Sequence, residues 1–482
     1  DVLIARVLQP GFSGTVAPDW VRRRLAGGLG SVILFAPNVE TPEQVRALTQ
    51  ALRAENPDVF IAIDEEAGDI TRLEHAAGSS YPGNLALGTL DDPALTEAMA
   101  RSVGNRVRAA GIDVNYAPVA DVNSEPRNPV IGARSFGADP ALVARHVAAA
   151  VRGLHAAGVA ACAKHFPGHG DTTVDSHLGL PTVEATRAGL ERGTLPPFRA
   201  ALDAGARAVM VAHLLLPALD AEHPASVSPA VIGLLRGELG FAGLAVSDGI
   251  AMAAVKARYG LAGAAVRALT AGIDVVCIDK DTPDADMRDL TAAITAAVRD
   301  SELPESRLVE AAERVAEFAA WRREIRATAG EIGPELETGT EDNGLGVARR
   351  ALRVLRAEAG ALPLNQPPHV IEADLPRSLA ARLAEFLPGT TRAALDDLSF
   401  SFNLAEPPPP ADRPLVIVVR GLQRSPQDLE RVTALAKQRP DALVVELGVP
   451  YADPGGAAWI ATYGASRVCV QAAAERLSGK RP

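Results

Sequence analysis

Short apolar runs of strand length alternate with longer segments of helical period from the start of the chain to about residue 280. The intervening segments are rich in Ala, Arg, Leu and Glu, as in Thr41–Glu55, Pro140–Ala157 and Glu191–Ala204. The predicted strands are Val2–Leu8, Ser31–Phe35, Val59–Ile63, Ile112–Pro118, Val159–Ala163, Ala208–Ala212, Leu244–Val246 and Ile273–Ile278. Eight such units are typical of a TIM (β/α)8 barrel, so we predict the α/β class with this barrel. A doubly wound sheet is the competing fold, but the first predicted strand is followed by QPGFSGTVAP, without G-x-G-x-x-G.

The remainder of the chain predicts a second, smaller α/β sandwich domain. A helical stretch, Asp284–Arg326, should pack Trp321 against the barrel, and a polar segment rich in Gly, Pro and Glu follows it. We therefore predict a catalytic barrel domain over residues 1–326, a linker over 327–345 and a C-terminal domain over 346–482. Within the last domain, the pattern predicts a helix at Ala348–Ala359, strands at His369–Asp374, Leu415–Arg420 and Ala442–Leu447, and a rigid connection at Pro407–Pro410.

Composition excludes several partners. The formal net charge is −11, and no basic patch is apparent, so nucleic acid is not an expected partner. No apolar stretch reaches the length of a membrane span, and the three cysteines lie far apart in apolar runs, which predicts buried free thiols. The thiols favour the cytoplasm, although the chain begins at Asp1 rather than Met, so secretion after loss of a signal is the alternative.

Almost every predicted barrel strand ends in a polar or charged cluster. In a TIM barrel the carboxyl ends of the strands carry the catalytic groups, so these residues are expected to form one site. The cluster residues are Asp64, Glu65, Glu66, Asp121, Lys164, His165, His213, Ser247, Asp248, Asp279 and Lys280.

The densest cluster lies in Lys164–Pro181, which reads KHFPGHGDTTVDSHLGLP and contains three of the nine histidines. Asp175 and His177 are two residues apart, so in an extended segment they point the same way. A carboxylate beside an imidazole raises the pKa of the imidazole and makes it a general acid near neutral pH. Together with Asp248 as a nucleophile, this pair supplies the groups that glycoside hydrolysis needs.

KHFPGHGDTTVDSH, IDEEAGDITRL and ELGFAGLAVSDGIAM resemble glycoside hydrolase family 3, and the D-S-H loop resembles its β-N-acetylglucosaminidase branch. The resemblance implies a retaining exo-enzyme that removes terminal N-acetylglucosamine from peptidoglycan fragments or chito-oligosaccharides, without a cofactor. It implies Asp248 as nucleophile, His177 as acid/base and Asp175 as the charge partner of His177. It also implies sugar ligands at Asp64, Arg134, Lys164 and His165, to which we add Arg72, Asp121, His213 and Ser226 as further candidates.

The chain departs from the family pattern D-x-E-G-G-R, because it reads Asp64-Glu65-Glu66-Ala67-Gly68-Asp69. This leaves the role of that loop open.

Several alternatives to a β-N-acetylglucosaminidase remain open. A histidine acid/base, unlike a glutamate, lets an anion approach the glycosyl-enzyme, so a phosphorylase with phosphate as acceptor is one alternative. A family 3 β-glucosidase is another. The histidines and aspartates of the loop could instead bind a metal, but the first strand lacks the H-x-H of barrel metallohydrolases. A non-catalytic sugar-binding protein is disfavoured because aromatic residues make up only 4% of the chain.

Overall fold

The computed structural model of the chain describes residues 1–176, 178–330, 340–373, 375, 377–395 and 412–480, without the side chains of 340–343. His177, Asp374, residues 331–339 of the predicted linker and the Pro407–Pro410 connection lie outside the described residues. The chain divides into two compact units. The first comprises Asp1–Glu66, Asp92–Ile131 and Ala138–Thr338, and the second comprises Ala67–Asp91, Gly132–Gly137 and Gly339–Pro482.

The first unit is built on a ring of parallel strands. Strands β2 to β7 pair in chain order, and β1 pairs with β8. Val246 of β7 bridges to Val275 beside β8, and the N–H of Ile33 in β2 donates to the carbonyl of Pro10 after β1 at 3.1 Å. The predicted TIM barrel is therefore confirmed. Its strands are β1 Leu8–Gln9, β2 Ser31–Leu34, β3 Phe60–Ile63, β4 Val114–Asn115, β5 Ala160–Phe166, β6 Ala208–Val211, β7 Leu244–Ser247 and β8 Val276–Cys277.

Helices connect these strands and begin at the expected capping residues. Thr41 and Asp139 accept hydrogen bonds at the starts of Pro42–Glu55 and Pro140–Ala156, which agree closely with the predicted helices. The predicted helix Glu191–Ala204 is instead two helices that meet at Thr194. The barrel helices are Val2–Val7, Asp19–Ala26, Pro42–Glu55, Pro93–Ala109, Pro140–Ala156, Arg187–Gly193, Leu195–Asp203, Pro229–Gly233, Ala253–Ala271, Asp284–Arg299 and Glu305–Thr328.

The predicted first strand, Val2–Leu8, is wrong in all but its last residue. Val2–Val7 is a helix, with Ile4 and Val7 buried three residues apart on one face. A short apolar run fits either periodicity, and here tertiary packing selects the helix.

The barrel core is aliphatic, with a small aromatic cluster. Phe60 at the start of β3 contacts Phe318 of the helix Glu305–Thr328 edge to face, with ring centroids 5.4 Å apart. Trp321 packs against the same cluster, as predicted. Because Phe60 begins its strand, this helix covers the amino end of the barrel and leaves the carboxyl end for the site. Cys162 and Cys277 are buried free thiols, as is Cys469 in the second unit, which confirms the cysteine prediction.

The second unit contains a six-stranded sheet in the order β11-β10-β12-β13-β14-β9. All neighbours are parallel except β9, which runs antiparallel to β14. The prediction missed β9, β11 and β14, and it placed β9 inside a helix. The strands are β9 Arg353–Ala357, β10 His369–Glu372, β11 Thr391–Ala394, β12 Leu415–Val419, β13 Leu443–Glu446 and β14 Ala458–Ala461.

Alternate side chains of this sheet enter two cores. Val416 and Val418 of β12 face the helices Leu379–Phe386 and Arg467–Ser478, whereas Ile417 and Val419 face Pro426–Gln438. The sheet therefore lies between two helical layers, which is the predicted α/β sandwich. The other helices of this unit are Asn84–Leu90 and Thr340–Ala351, and the latter begins within the predicted linker.

No helix among the described residues combines the length and the hydropathy that a membrane span requires.

Candidate active site

The strand ends of the barrel bring most of the predicted residues to one edge. Asp64 directly follows β3, Lys164 and His165 lie near the end of β5, and Asp248 directly follows β7. The carboxyl ends of parallel barrel strands meet at one face, and side-chain contacts link several of the strand ends across it.

Lys164 is held between two carboxylates. Its Nζ lies 2.7 Å from Oδ1 of Asp64 and 2.6 Å from Oε1 of Glu66, and its side chain is only 2% exposed. Asp64 and Glu66 are two residues apart in the segment that follows β3, and both reach the same ammonium group. Sequence reasoning gave Glu66 no role of its own, although its spacing from Asp64 was the available signal. These charges form a buried, mutually paired set of hydrogen-bond donors and acceptors, and their predicted contacts with sugar hydroxyls stay predictions.

Asp121 is fully buried and hydrogen-bonds to both His165 and His169. Its Oδ2 lies 2.7 Å from Nδ1 of His165, and its Oδ1 accepts the backbone N–H of His169 at 2.6 Å. Burial by itself would raise the pKa of Asp121, but the contacts with His165 and His169 outweigh burial and lower it. Asp121 is therefore an ionised carboxylate that fixes the tautomer and orientation of the His165 ring.

Asp248 is partly exposed and is oriented by its own turn. Its Oδ1 accepts the N–H of Gly249 at 2.8 Å. Burial would raise the pKa of Asp248, but the imidazoles of His165 and His213 outweigh burial and hold the pKa below its ordinary value. The Gly249 N–H and the Lys164 ammonium act in the same direction. The result is an ionised carboxylate at neutral pH, which is the state a nucleophile needs.

His213 braces the turn that follows Asp248. Its Nε2 lies 3.0 Å from the carbonyl oxygen of Gly249, and its Nδ1 lies 2.6 Å from Oγ of Ser226. A carbonyl only accepts, so Nε2 carries a proton and donates to Gly249. Both contacts are with protein groups, which supports a positioning role for His213 and Ser226.

The loop after β5 is held by close backbone packing and by hydrogen bonds. Gly170 passes so close to Val122 that an added Cβ would collide with the Val122 carbonyl, which explains the glycine. Ser176 is buried, Asp175 is partly exposed, and Leu178 and Gly179 donate to the Asp175 carbonyl at 2.9 and 3.0 Å. Because His177 lies outside the described residues, the Asp175–His177 pair stays a prediction.

Arg72 and Arg134 lie in segments of the second unit. There, the Nδ2 of Asn84 donates to the Arg134 carbonyl at 2.7 Å. Their predicted contacts with the sugar stay predictions. In the described part of the chain, no group of three or more His, Cys, Asp or Glu side chains is arranged to hold a metal ion.

Asp69 has a defined place within the second unit, where the chain departs from the family pattern. Its Oδ2 pairs with Arg420 at 2.6 Å and its Oδ1 accepts the Ala465 N–H at 2.7 Å. The side chain at this position therefore anchors its loop through an ion pair and a backbone hydrogen bond.

Comparisons with known proteins identify the family of the chain. The family described as "Glycosyl hydrolase family 3 N terminal domain" matches residues 13–318. A beta-hexosaminidase of Nitrosomonas eutropha is 34% identical over 327 residues, which cover 66% of this chain and 93% of that protein. Beta-hexosaminidase A of Pseudoalteromonas piscicida is 36% identical over 269 residues, but the matched part of this chain spans only 45% of that relative.

A solved structure extends the likeness to the whole chain. The glycoside hydrolase family 3 beta-N-acetylglucosaminidase from Paenibacillus sp. str. FPU-7 superposes with a TM-score of 0.85 at 31% identity. The superposition covers 100% of this chain and 97% of that one. Because the family model alone spans more than half of the sequence, the predicted membership is confirmed, and the chain belongs to glycosyl hydrolase family 3.

Proposed function

We propose that this chain is a retaining exo-β-N-acetylglucosaminidase that removes terminal β-linked N-acetylglucosamine from peptidoglycan fragments or chito-oligosaccharides. The observation that carries the proposal is Asp248, an ionised carboxylate held at the end of β7 beside His165 and Lys164. The enzyme class, a glycoside hydrolase of the β-N-acetylhexosaminidase type, is supported by the relatives with that name and by the solved family 3 structure.

The chemistry has two steps. In the first, a carboxylate oxygen of Asp248 attacks the anomeric carbon, the bond from that carbon to the leaving oxygen breaks, and His177 protonates the leaving oxygen. In the second, the histidine removes a proton from water, the water oxygen bonds to the anomeric carbon, and the bond to Asp248 breaks. Two inversions restore the β configuration. Asp175 stabilises the cationic form of His177.

The charged groups around Asp248 bind the sugar. Asp64 accepts from sugar hydroxyls, Lys164 donates to them, and His165 is held in place for the same task by Asp121. Arg72 and Arg134 are further proposed sugar ligands. The aglycone and a cytoplasmic location are likewise proposals, inherited from the sequence-based predictions.

Product analysis tests the proposal. An aryl β-N-acetylglucosaminide is incubated with the full chain in the NMR tube, with and without phosphate. Free β-N-acetylglucosamine as the first-formed anomer under both conditions is the expected result. A sugar 1-phosphate whose yield rises with phosphate would replace the hydrolase with a phosphorylase. Cleavage of the aryl β-glucoside alone would overturn the substrate assignment.

A further inference from the structure

The loop that carries Asp175 and His177 turns the polar side chain of Ser176 inward. Val174 and Leu178 are 43% and 84% exposed, whereas Ser176 is only 2% exposed. A buried hydroxyl needs a hydrogen-bond partner, and the Oγ of Ser176 lies 3.0 Å from Nε2 of His169. The predicted acid/base His177 and its predicted charge partner Asp175 therefore flank a residue that is buried and hydrogen-bonded to His169.

His169, in the loop after β5, is itself buried and hydrogen-bonded to other residues of the first unit. It is 1% exposed, its backbone N–H donates to Asp121, and its carbonyl accepts Nδ2 of Asn128 at 2.8 Å. Its Nδ1 lies 3.3 Å from Oγ1 of Thr172. The backbone of His169 is therefore attached to the same carboxylate that orients His165.

The contacts of the imidazole assign His169 a positioning role. Its two ring nitrogens contact Ser176 and Thr172, so the ring is occupied on both edges by the loop itself. Burial, the largest cause, lowers the pKa of His169, and the repulsion of His165 adds to burial, whereas Asp121 and Asp248 oppose it. A neutral ring has one donor and one acceptor, which matches two hydroxyl partners.

We propose that the hydrogen bond between His169 and Ser176 is a latch that positions Asp175 and His177 for proton transfer. The proposal rests on the proposed function, because it assigns the latch to the acid step of that reaction. The latch raises the fraction of enzyme molecules in which the loop is positioned. It does not alter the proposed sugar subsite formed by Asp64 and Lys164.

The test compares two substrates with Ser176→Ala. The first is the β-1,4-linked dimer of N-acetylglucosamine, whose leaving oxygen needs a proton. The second is the 2,4-dinitrophenyl glycoside, whose leaving group does not. We expect kcat/KM for the dimer to fall roughly 10-fold, the upper range for one hydrogen bond, with kcat/KM for the aryl glycoside nearly unchanged. Ser176→Thr keeps the hydroxyl and should retain most activity, and Thr173→Ala, at an exposed position of the same loop, is the matched control.

A double variant sharpens the test. If Ser176→Ala and His169→Gln act through one bond, their combination should be no slower than the slower single variant. Equal losses on both substrates, full activity in Ser176→Ala, or additive losses would each overturn the latch. Failure of the unaltered chain to cleave either substrate would instead overturn the proposed function.

Discussion

Asp248 and Glu446 both stand at the carboxyl end of a parallel strand, one in the barrel and one in the second sheet. Asp248 follows β7 and Glu446 ends β13. Oδ1 of Asp248 accepts the N–H of Gly249, and Oε1 of Glu446 accepts the N–H groups of Gly421 and Gly448, both at 2.7 Å. Local structure alone would give them the same role.

The neighbours make the two carboxylates different. Around Asp248, the imidazoles of His165 and His213 outweigh burial and lower the pKa. Around Glu446, burial dominates and raises the pKa to about 7, because the backbone N–H groups offset it only in part. A strand-end position therefore selects where a carboxylate lies, whereas nearby charges decide whether it is ionised and able to react.

The largest expected effect is that of Asp248→Asn on kcat. The amide keeps an oxygen for the Gly249 N–H, so the fold should persist while the nucleophile is lost. We expect kcat to fall on the order of 10⁴-fold or more, measured with an aryl glycoside. Glu446→Gln is the matched control and should keep nearly full activity. Near-normal turnover by Asp248→Asn would remove Asp248 from the mechanism.

Glu446, unlike Asp248, is expected to act on the pH dependence of folding stability. The folded pKa of about 7 lies above the ordinary value of 4.5, so the folded state binds the extra proton between these values. The stability linked to Glu446 is therefore complete below pH 4.5 and is lost as the pH rises through 7. The loss by pH 8 is roughly 3 kcal/mol.

Glu446→Gln should remove this dependence, because the amide carries no charge. Thermal unfolding midpoints at pH 5 and pH 8 measure it, and the variant should gain on the unaltered chain only at the higher pH. The same midpoint difference at both values would show that Glu446 is ionised in the folded state.

The smallest expected effect is that of Asp175→Ala. Unlike Asp248 and Glu446, Asp175 is predicted to act through another group, the imidazole of His177. A carboxylate beside His177 raises the pKa of the imidazole, so its removal should shift the alkaline limb of the pH–rate profile to lower pH, by roughly one unit. A profile of kcat/KM with the N-acetylglucosamine dimer measures the limb. An unmoved limb would show that Asp175 and His177 are not coupled.

Tertiary contacts also explain what sequence reasoning missed in the second sheet. Strand β11, Thr391–Ala394, lies at the edge of the sheet and is largely exposed or partly buried, so it lacks the apolar run that marks a buried strand. The antiparallel β9 directly follows a helix and continues its Arg- and Leu-rich composition. Only its pairing with β14 distinguishes it from helix.

Periodicity, strand ends and motif spacing are local properties of the chain, so the family and the barrel could be predicted from the sequence, together with candidate residues for the site. How those residues pair with one another became visible only in the folded structure. It placed Glu66 beside Asp64 on one ammonium group, joined His169 to Ser176, and gave Asp248 and Glu446 opposite pKa shifts. These outcomes depend on burial and on charges contributed by distant segments, which are set only when the chain is folded.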